Sequence, residues 1–258
     1  MNKRDIVNGF VIVHVPHASL YIPEFYRNTI LLDDKRLKQE MHRMTDAFCD
    51  ELYFSPDFKN RITAPVSRLV CDVERFRDDE HEAFAKRGQG LMYTKCSDGR
   101  RLRRNDEALR SLILAEFYDP HHKKFTRMVD EILERYGKCL IIDGHSFPSK
   151  TSTASKINKK LRYPDFDIGT DDFHTPNGLR DALYDKVKKL GYSAKINKPY
   201  AGAITPMKFY RKDKNVFSVM IETNRNLYLN RKFEKSRGFL KTQAACRALM
   251  VCAAEYVM

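Results

Sequence analysis

The sequence predicts an α/β protein, a three-layer sandwich with a mixed, mainly parallel sheet. Short apolar runs rich in β-branched residues recur along the chain, as in the buried strands of a parallel sheet. Segments with helical periodicity lie between these runs, and such alternation is typical of α/β folds. The chain has 258 residues, a length that fits one large domain. We therefore interpret residues 1–258 as a single domain.

Five segments have the length and composition of strands. The first follows the N-terminus, and we interpret it as a core strand because no small-residue cleavage site of a signal peptide accompanies it. The other four are spaced along the chain and are bounded by polar or glycine-containing stretches. The predicted strands are Phe10–Val15, Ile62–Cys71, Cys139–Asp143, Tyr192–Ile196 and Val216–Ile221.

Five further segments carry apolar residues at helical spacing. Gly137 and Gly191 follow two of them, as glycine commonly does at a helix C-terminus. Between these elements, residues 77–103 and 147–176 are polar segments with several glycines or prolines, and loops of this length are often lids or binding loops. The predicted helices are Lys35–Tyr53, Asn105–Phe117, Pro120–Tyr136, Asn177–Leu190 and Phe233–Val257.

Composition and charge restrict the class of protein. No stretch approaches the ~20 apolar residues of a membrane helix. Six cysteines are scattered without a CxxC pair, which favours a reducing cytoplasm. The net charge of +13 indicates either an anionic partner or a lysine-rich solvated surface. Basic residues are denser at Arg100–Arg104 and Lys156–Arg162, but no nucleic-acid-binding signature accompanies them.

Three predicted strands run into titratable residues at their carboxyl ends. The first leads to His17, the strand Cys139–Asp143 leads to His145, and the strand Val216–Ile221 leads to Glu222. Ligands of open α/β sheets bind at this edge. These three side chains are therefore expected to lie close together.

The residue types at this edge suit a metal-dependent hydrolase. Two histidines and a carboxylate hold catalytic zinc and leave a position open, which makes His17 and His145 the candidate imidazole ligands. Asp46 or Asp50 would supply the carboxylate, since both fall on one face of the predicted helix Lys35–Tyr53. Glu222 is the candidate base. Mn, Fe or Co also suits a mixed His/Asp site.

Each assignment has a structural alternative. A histidine near a strand end is often a hydrogen-bonded core residue, and Glu222 could pair with Arg225. Asp46 could be a surface acid, and His121 and His122 could simply open a helix. No short zinc signature such as HExxH is present.

Eight segments that span most of the chain resemble the N-formylglutamate amidohydrolase family, in family order. They are VHVPHAS (13–19), TDAFCDELY (45–53), APVSRLVCDVERF (64–76), YDPHH (118–122), LIIDGHSFPS (140–149), PDFDIGT (164–170), NKPYAGAIT (197–205) and MIETNRNLYL (220–229).

The resemblance implies a zinc-dependent hydrolase with a fold similar to the carboxypeptidase-like exopeptidases. It implies a small amide substrate, an N-formyl amide of an acidic amino acid such as N-formylglutamate. Carried over by position, His17 and His145 match metal ligands, and Asp46 matches the family's acid with Asp50 in reserve. Glu222 matches the glutamate of the late strand.

The resemblance also implies a substrate-binding group. Arg68 and Arg75 match family arginines and would suit a substrate carboxylate, because a guanidinium binds one bidentately; pairing with Asp72 or Glu74 is the structural alternative. The segment after the late strand adds Asn224 and Arg225 to this group. Either Arg75 or His122 is the candidate donor to the oxyanion, which makes His122 the second catalytic candidate beside Glu222. The chain departs from the family pattern at two positions, with Glu74 in place of Asn and His121 in place of Tyr.

Two other functions remain open at this point. A peptidase or amidase of the same fold would act on a larger peptide and would have an open groove. A basic nucleic-acid-binding protein would carry a continuous stripe of Lys and Arg with exposed aromatic side chains. Acids and histidines at strand ends favour the metal pocket, and we predict a small acidic amide substrate without a membrane or nucleic-acid partner.

Overall fold

The computed structural model describes residues 9–148 and 163–258. Their six-stranded sheet has the order β2-β1-β3-β6-β4-β5. All neighbouring pairs are parallel except β4 with β6, which makes the sheet mixed and mainly parallel as predicted. The basic spot at Lys156–Arg162 lies outside the described residues. The strands are β1 (Val11–Val15), β2 (Asn60–Thr63), β3 (Cys139–Phe147), β4 (Phe166–Gly169), β5 (Ala194–Ile196) and β6 (Val216–Asn224).

Helices cover both faces of the sheet. On one face, His121 and Phe125 of helix α5 (Asp119–Tyr136) pack against His14 of β1. On the other face, Cys246 of helix α7 (Phe239–Val257) contacts Thr223 of β6. This three-layer architecture confirms the predicted fold class. The α-helices are α1 (Glu24–Arg27), α2 (Asp34–Met44), α3 (Cys49–Leu52), α4 (Glu107–Ile113), α5 (Asp119–Tyr136), α6 (Asn177–Lys189) and α7 (Phe239–Val257), with 3-10 turns at Ala85–Arg87 and Arg225–Leu227 and a π-helical turn at Leu114–Tyr118.

Two predicted elements are wrong in extent. The strand predicted at Ile62–Cys71 ends at Thr63, and the apolar residues beyond it are buried in turns, where burial without a strand gives the same apolar run. The helix predicted at Lys35–Tyr53 is interrupted after Met44. Thr45 has an extended backbone and Phe48 a left-handed one, which an α-helix excludes.

The remaining elements agree more closely with their predictions. The predicted helices 105–117 and 120–136 form one helical run through the π-helical turn, and the last helix begins at Phe239, later than predicted. All six cysteines are free. None of the helices in the described part of the chain has the length and apolar character needed to cross a membrane.

Tyr53, at the end of α3, fixes the two central strands against each other. Its hydroxyl donates a hydrogen bond to the Ile221 carbonyl oxygen (2.6 Å) and lies 2.8 Å from Thr223 Oγ1. Its ring packs directly on Gly144, where an added Cβ would lie 2.6 Å from the ring. Glycine at this position therefore lets the tyrosine pack against β3 while its hydroxyl binds β6. Both contacts lie on the sheet face opposite the His145 side chain.

Candidate metal centre

A row of titratable side chains crosses one face of the sheet. His14 of β1 is in register with Asp143 of β3, and His145 lies two residues further along β3 on the same face. His145 is in register with Glu222 of β6, which is in register with Asp167 of β4. Strand pairing thus brings His145 and Glu222 together, two of the three side chains that the sequence places at strand ends.

Three of the predicted ligands form a compact buried cluster. His17, Asp46 and His145 each offer a ligand atom within 4.8 Å of the others. Asp46 Oδ2 lies 3.1 Å from His145 Nδ1 and 3.8 Å from His17 Nδ1. His17 Nδ1 is buried and has no hydrogen-bond partner among residues 9–148 and 163–258, an arrangement that is costly in a protein interior. A cation between these three atoms would give that nitrogen a partner, so the residues fit a metal ion.

The outer nitrogens of both imidazoles are bound by carboxylates. His17 Nε2 lies 2.8 Å from Asp72 Oδ1. His145 Nε2 lies 3.1 Å from Asp143 Oδ1. A metal-ligating histidine usually donates its second N–H to a carboxylate or carbonyl, which fixes the ring and its tautomer. Both histidines are therefore oriented with Nδ1 toward Asp46.

Asp46 is held in place from two directions. Its backbone N–H donates to the His17 carbonyl oxygen (2.9 Å), and its Oδ1 accepts from Arg225 Nη2 (2.8 Å). Burial alone would raise the pKa of Asp46, but the hydrogen bond from His145, the adjacent imidazole of His17 and the charge of Arg225 hold it well below its usual range. The carboxylate is therefore ionised and leaves Oδ2 facing the histidines.

Asp50 does not take part in this cluster. It lies on α3 and is exposed, whereas Asp46 precedes α3 in the turn that follows α2. The expectation that the two acids share a helix face was wrong, because the chain leaves the helix at Thr45.

Glu222 is buried beside the cluster without a cationic partner of its own. Its Oε2 forms no hydrogen bond with the described residues. Burial raises the pKa of Glu222 to about 8, and the charge of Asp46 adds to this effect. Arg225, the alternative partner, instead contacts Asp46, Ser146 Oγ (3.1 Å) and the Arg43 carbonyl oxygen (2.8 Å).

Comparison with known proteins identifies the family. The sequence profile of one family, N-formylglutamate amidohydrolase, matches residues 10–229. The chain belongs to this family. Its membership confirms the predicted class, a hydrolase of C–N amide bonds.

Relatives of this amidohydrolase family member share its sequence and its fold. An N-formylglutamate deformylase from Pseudomonas putida is 24% identical over 227 residues, which cover 85% of this chain and 81% of that protein. The crystal structure of N-formylglutamate amidohydrolase from Ralstonia eutropha JMP134 superposes with a TM-score of 0.82 at 21% identity, covering 96% and 94% of the two chains. A gene product of Agrobacterium tumefaciens gives 0.71 at 21% identity, covering 99% and 94%. These likenesses are consistent with the carboxypeptidase-like fold.

Both predicted substrate arginines of this amidohydrolase contact one buried acid. Arg68 Nη2 lies 2.7 Å from Asp72 Oδ2, and Arg75 Nη2 lies 3.5 Å from the same oxygen. The Tyr93 hydroxyl donates to it as well, at 2.7 Å. Burial would raise the pKa of Asp72, but the two arginines and His17 hold it well below its usual range. The structural alternative, pairing with Asp72, is thus present.

Two other predicted site residues are occupied by contacts within the protein. The His122 ring nitrogen Nε2 donates to the Val73 carbonyl oxygen (2.8 Å). The Asn224 side chain donates to the Pro164 carbonyl oxygen (2.9 Å) and accepts from the Asn226 N–H. Neither residue belongs to the cluster of candidate metal ligands.

Two residues that complete the centre, Asp143 and Glu74, were not among the predicted site residues. Asp143 accepts from His14 Nδ1 at 2.7 Å as well as from His145, and the three atoms form a connected buried set. Glu74 extends this set, with Oε1 3.2 Å from His145 Nε2 and Oε2 3.5 Å from His17 Nε2. The signal for Asp143 was present, since it ends an apolar strand directly before Gly-His.

Proposed function

We propose that the protein is a zinc-dependent amidohydrolase that removes the formyl group from an N-formylated acidic amino acid, with N-formylglutamate as the reference substrate. One observation carries the zinc site: His17 Nδ1, His145 Nδ1 and Asp46 Oδ2 face one another while the outer atoms of each residue are already bound. Another divalent transition metal would suit the same donor set.

In the proposed hydrolysis, the ligand residues hold the metal and Glu222 transfers the protons. Zinc bound here would supply a Lewis acid that polarises the amide carbonyl and makes water more acidic. Glu222 takes the proton of the attacking water, whose oxygen adds to the formyl carbon. The same carboxyl then delivers the proton to the leaving nitrogen as the C–N bond breaks, giving formate and the free amino acid. A cation held by the adjacent ligands would favour the ionised form of Glu222, which is the form that accepts this proton.

The substrate's carboxylate has candidate partners in Arg68 and Arg75. A guanidinium has five N–H donors, so one that binds Asp72 keeps donors for a second carboxylate. Arg225 and Asn224 lie just beyond Glu222 on the same strand and turn, and His122 remains a candidate donor to the oxyanion. The burial of the cluster, with His17, Asp46 and His145 at most 4% exposed, favours a small substrate over a long peptide. The free cysteines support a cytoplasmic location.

The test combines metal content with formate release. The purified protein should release formate from N-formyl-L-glutamate, lose this activity to a chelator and regain it with zinc. His17→Ala and His145→Ala should each lose the metal, whereas His81→Ala, a change at an exposed histidine, should keep both metal and activity. Full zinc occupancy in both ligand variants, or activity that survives complete removal of metal, would contradict the proposal.

A further inference from the structure

Asp167 is a buried acid that the proposed reaction does not use. It lies in the middle of β4, fully buried, in register with Glu222. Its carboxylate accepts two backbone amides from the loop that follows β5: Oδ1 binds the Lys198 N–H (2.9 Å) and Oδ2 binds the Tyr200 N–H (3.0 Å). Both oxygens of one side chain therefore fix two alternate residues of a single surface loop.

Two further contacts fix the same loop, residues 197–205, on β4. Asn197 has a left-handed backbone conformation with φ 54°. Its Oδ1 accepts from the Thr170 N–H and its Nδ2 donates to Thr170 Oγ1, each at 2.9 Å. The Gly202 carbonyl oxygen approaches Gly169 so closely that an added Cβ there would lie 2.5 Å from it. Asp167 and Gly169 of β4, together with Thr170 directly after it, thus hold this loop in one position against the sheet.

Tyr200 of this loop lies on the sheet face that carries His145 and Glu222, because it contacts Phe147, which is two residues beyond His145 on β3. Its ring packs edge-on against Phe147 at the end of β3, with 6.4 Å between ring centroids. Partial burial and the nearby charge of Glu222 together raise the pKa of Tyr200 to about 12, although 37% of the residue is exposed. Within the described part of the chain, no residue forms a hydrogen bond with this hydroxyl. A phenol O–H therefore remains available as a donor on a loop whose anchor, Asp167, is in register with the candidate base Glu222.

We propose that Tyr200 is a further catalytic residue, whose hydroxyl donates a hydrogen bond to the formyl oxygen as that atom gains negative charge, and that Asp167 is the residue that positions it. The inference rests on the proposed amide hydrolysis. No proton is transferred in this step; a neutral donor stabilises charge that develops in the transition state. Asp167 acts only through the loop, because both of its oxygens are taken up by the loop's amides.

The test compares Tyr200→Phe, Asp167→Asn and the double variant in the zinc-loaded enzyme. Loss of one oxyanion donor costs ~10²-fold in kcat, so Tyr200→Phe should lower kcat by that order with KM changed less than about threefold. Asn can accept only one of the two amides, so Asp167→Asn should also lower kcat. Because Asp167 acts through Tyr200, the double variant should be no slower than Tyr200→Phe alone, within about twofold.

Amide hydrogen exchange measures how firmly Asp167 holds the loop, independently of catalytic activity. The Lys198 and Tyr200 amides should exchange at least about tenfold faster in Asp167→Asn and at the wild-type rate in Tyr200→Phe. Asp165→Asn is the matched control: Asp165 of the same segment accepts the Ser193 N–H (2.8 Å) and hydroxyl (2.7 Å) instead. Asp165→Asn should speed the exchange of the Ser193 amide. It should leave kcat and the exchange rate of the Tyr200 amide unchanged.

The outcomes separate this inference from the proposed function. A wild-type enzyme that releases no formate from any N-formyl amino acid refutes the proposed function and, with it, the role of Tyr200 in that reaction. An active wild type with normal kcat in Tyr200→Phe, or with a change in KM alone, refutes the oxyanion contact. Unchanged amide exchange in Asp167→Asn, or additive losses in the double variant, refutes the positioning role.

Discussion

Replacing Glu222 with Gln should stabilise the metal-free protein while removing its activity. The folded protein keeps the Glu222 proton up to about pH 8, whereas the unfolded chain releases it near the ordinary value of 4.5. Each pKa unit of this difference corresponds to ~1.4 kcal/mol, so the contribution of Glu222 to the free energy of unfolding should fall by about 5 kcal/mol as the pH rises from below 4.5 to 8. Gln has no proton to release, so this loss should disappear in the variant.

The assay is urea unfolding of both metal-free proteins between pH 5 and pH 8, together with kcat of the zinc-loaded enzymes. The stability advantage of Glu222→Gln should grow with pH, and kcat should fall by ~10²–10⁴ with zinc content unchanged. Glu40→Gln is the control, because Glu40 is equally buried but accepts from the Ser97 N–H and hydroxyl, so its replacement should destabilise. Parallel pH curves or a near-normal kcat would refute the reasoning, and loss of zinc would make Glu222 a ligand.

Further predictions concern the surroundings of the centre and the charge of the whole protein. Asp72→Asn removes the carboxylate behind His17 and should weaken zinc affinity by ~10–100-fold in competition with a chelator; unchanged affinity would contradict the role of Asp72 in orienting His17. Arg68→Met and Arg75→Met should each raise KM for N-formylglutamate and lower the melting temperature, since Asp72 loses a cationic partner. Normal KM in both would remove them from the substrate site. Nucleic-acid binding should be weak and vanish near physiological salt, and tight, selective binding in a filter assay would favour the other class.

The sequence predicted those parts of the site that depend on strands alone. His145 and Glu222 directly end or follow apolar runs, and parallel strands bring such ends to one edge, so their proximity follows from the fold class. Asp46 required the family resemblance as well, because the apolar spacing around it predicts a helix that the chain does not form. The ligand assignments and the single-domain interpretation of residues 1–258 stay predictions.

Other parts depend on tertiary contacts that no local pattern carries. β4 was missed because it is four residues long and has Asp167 in its interior, and a buried charge within a strand breaks the apolar pattern by which strands are found. Asp72 follows an apolar run that reads as a strand but is folded into buried turns. Its importance comes from contacts with His17, Arg68 and Arg75, which lie on both sides of it in the chain.

The ion pair between Asp46 and Arg225 also bears on the order of folding. The two residues are 179 positions apart in the sequence, and the arginine follows the last strand of the sheet. A buried carboxylate without its cation is strongly destabilising, so the N-terminal half cannot complete the cluster by itself. Long-range closure of this kind forms late. During synthesis, Asp46 therefore gains its cationic partner only after β6 and the turn beyond it have emerged, when nearly the entire protein has been translated.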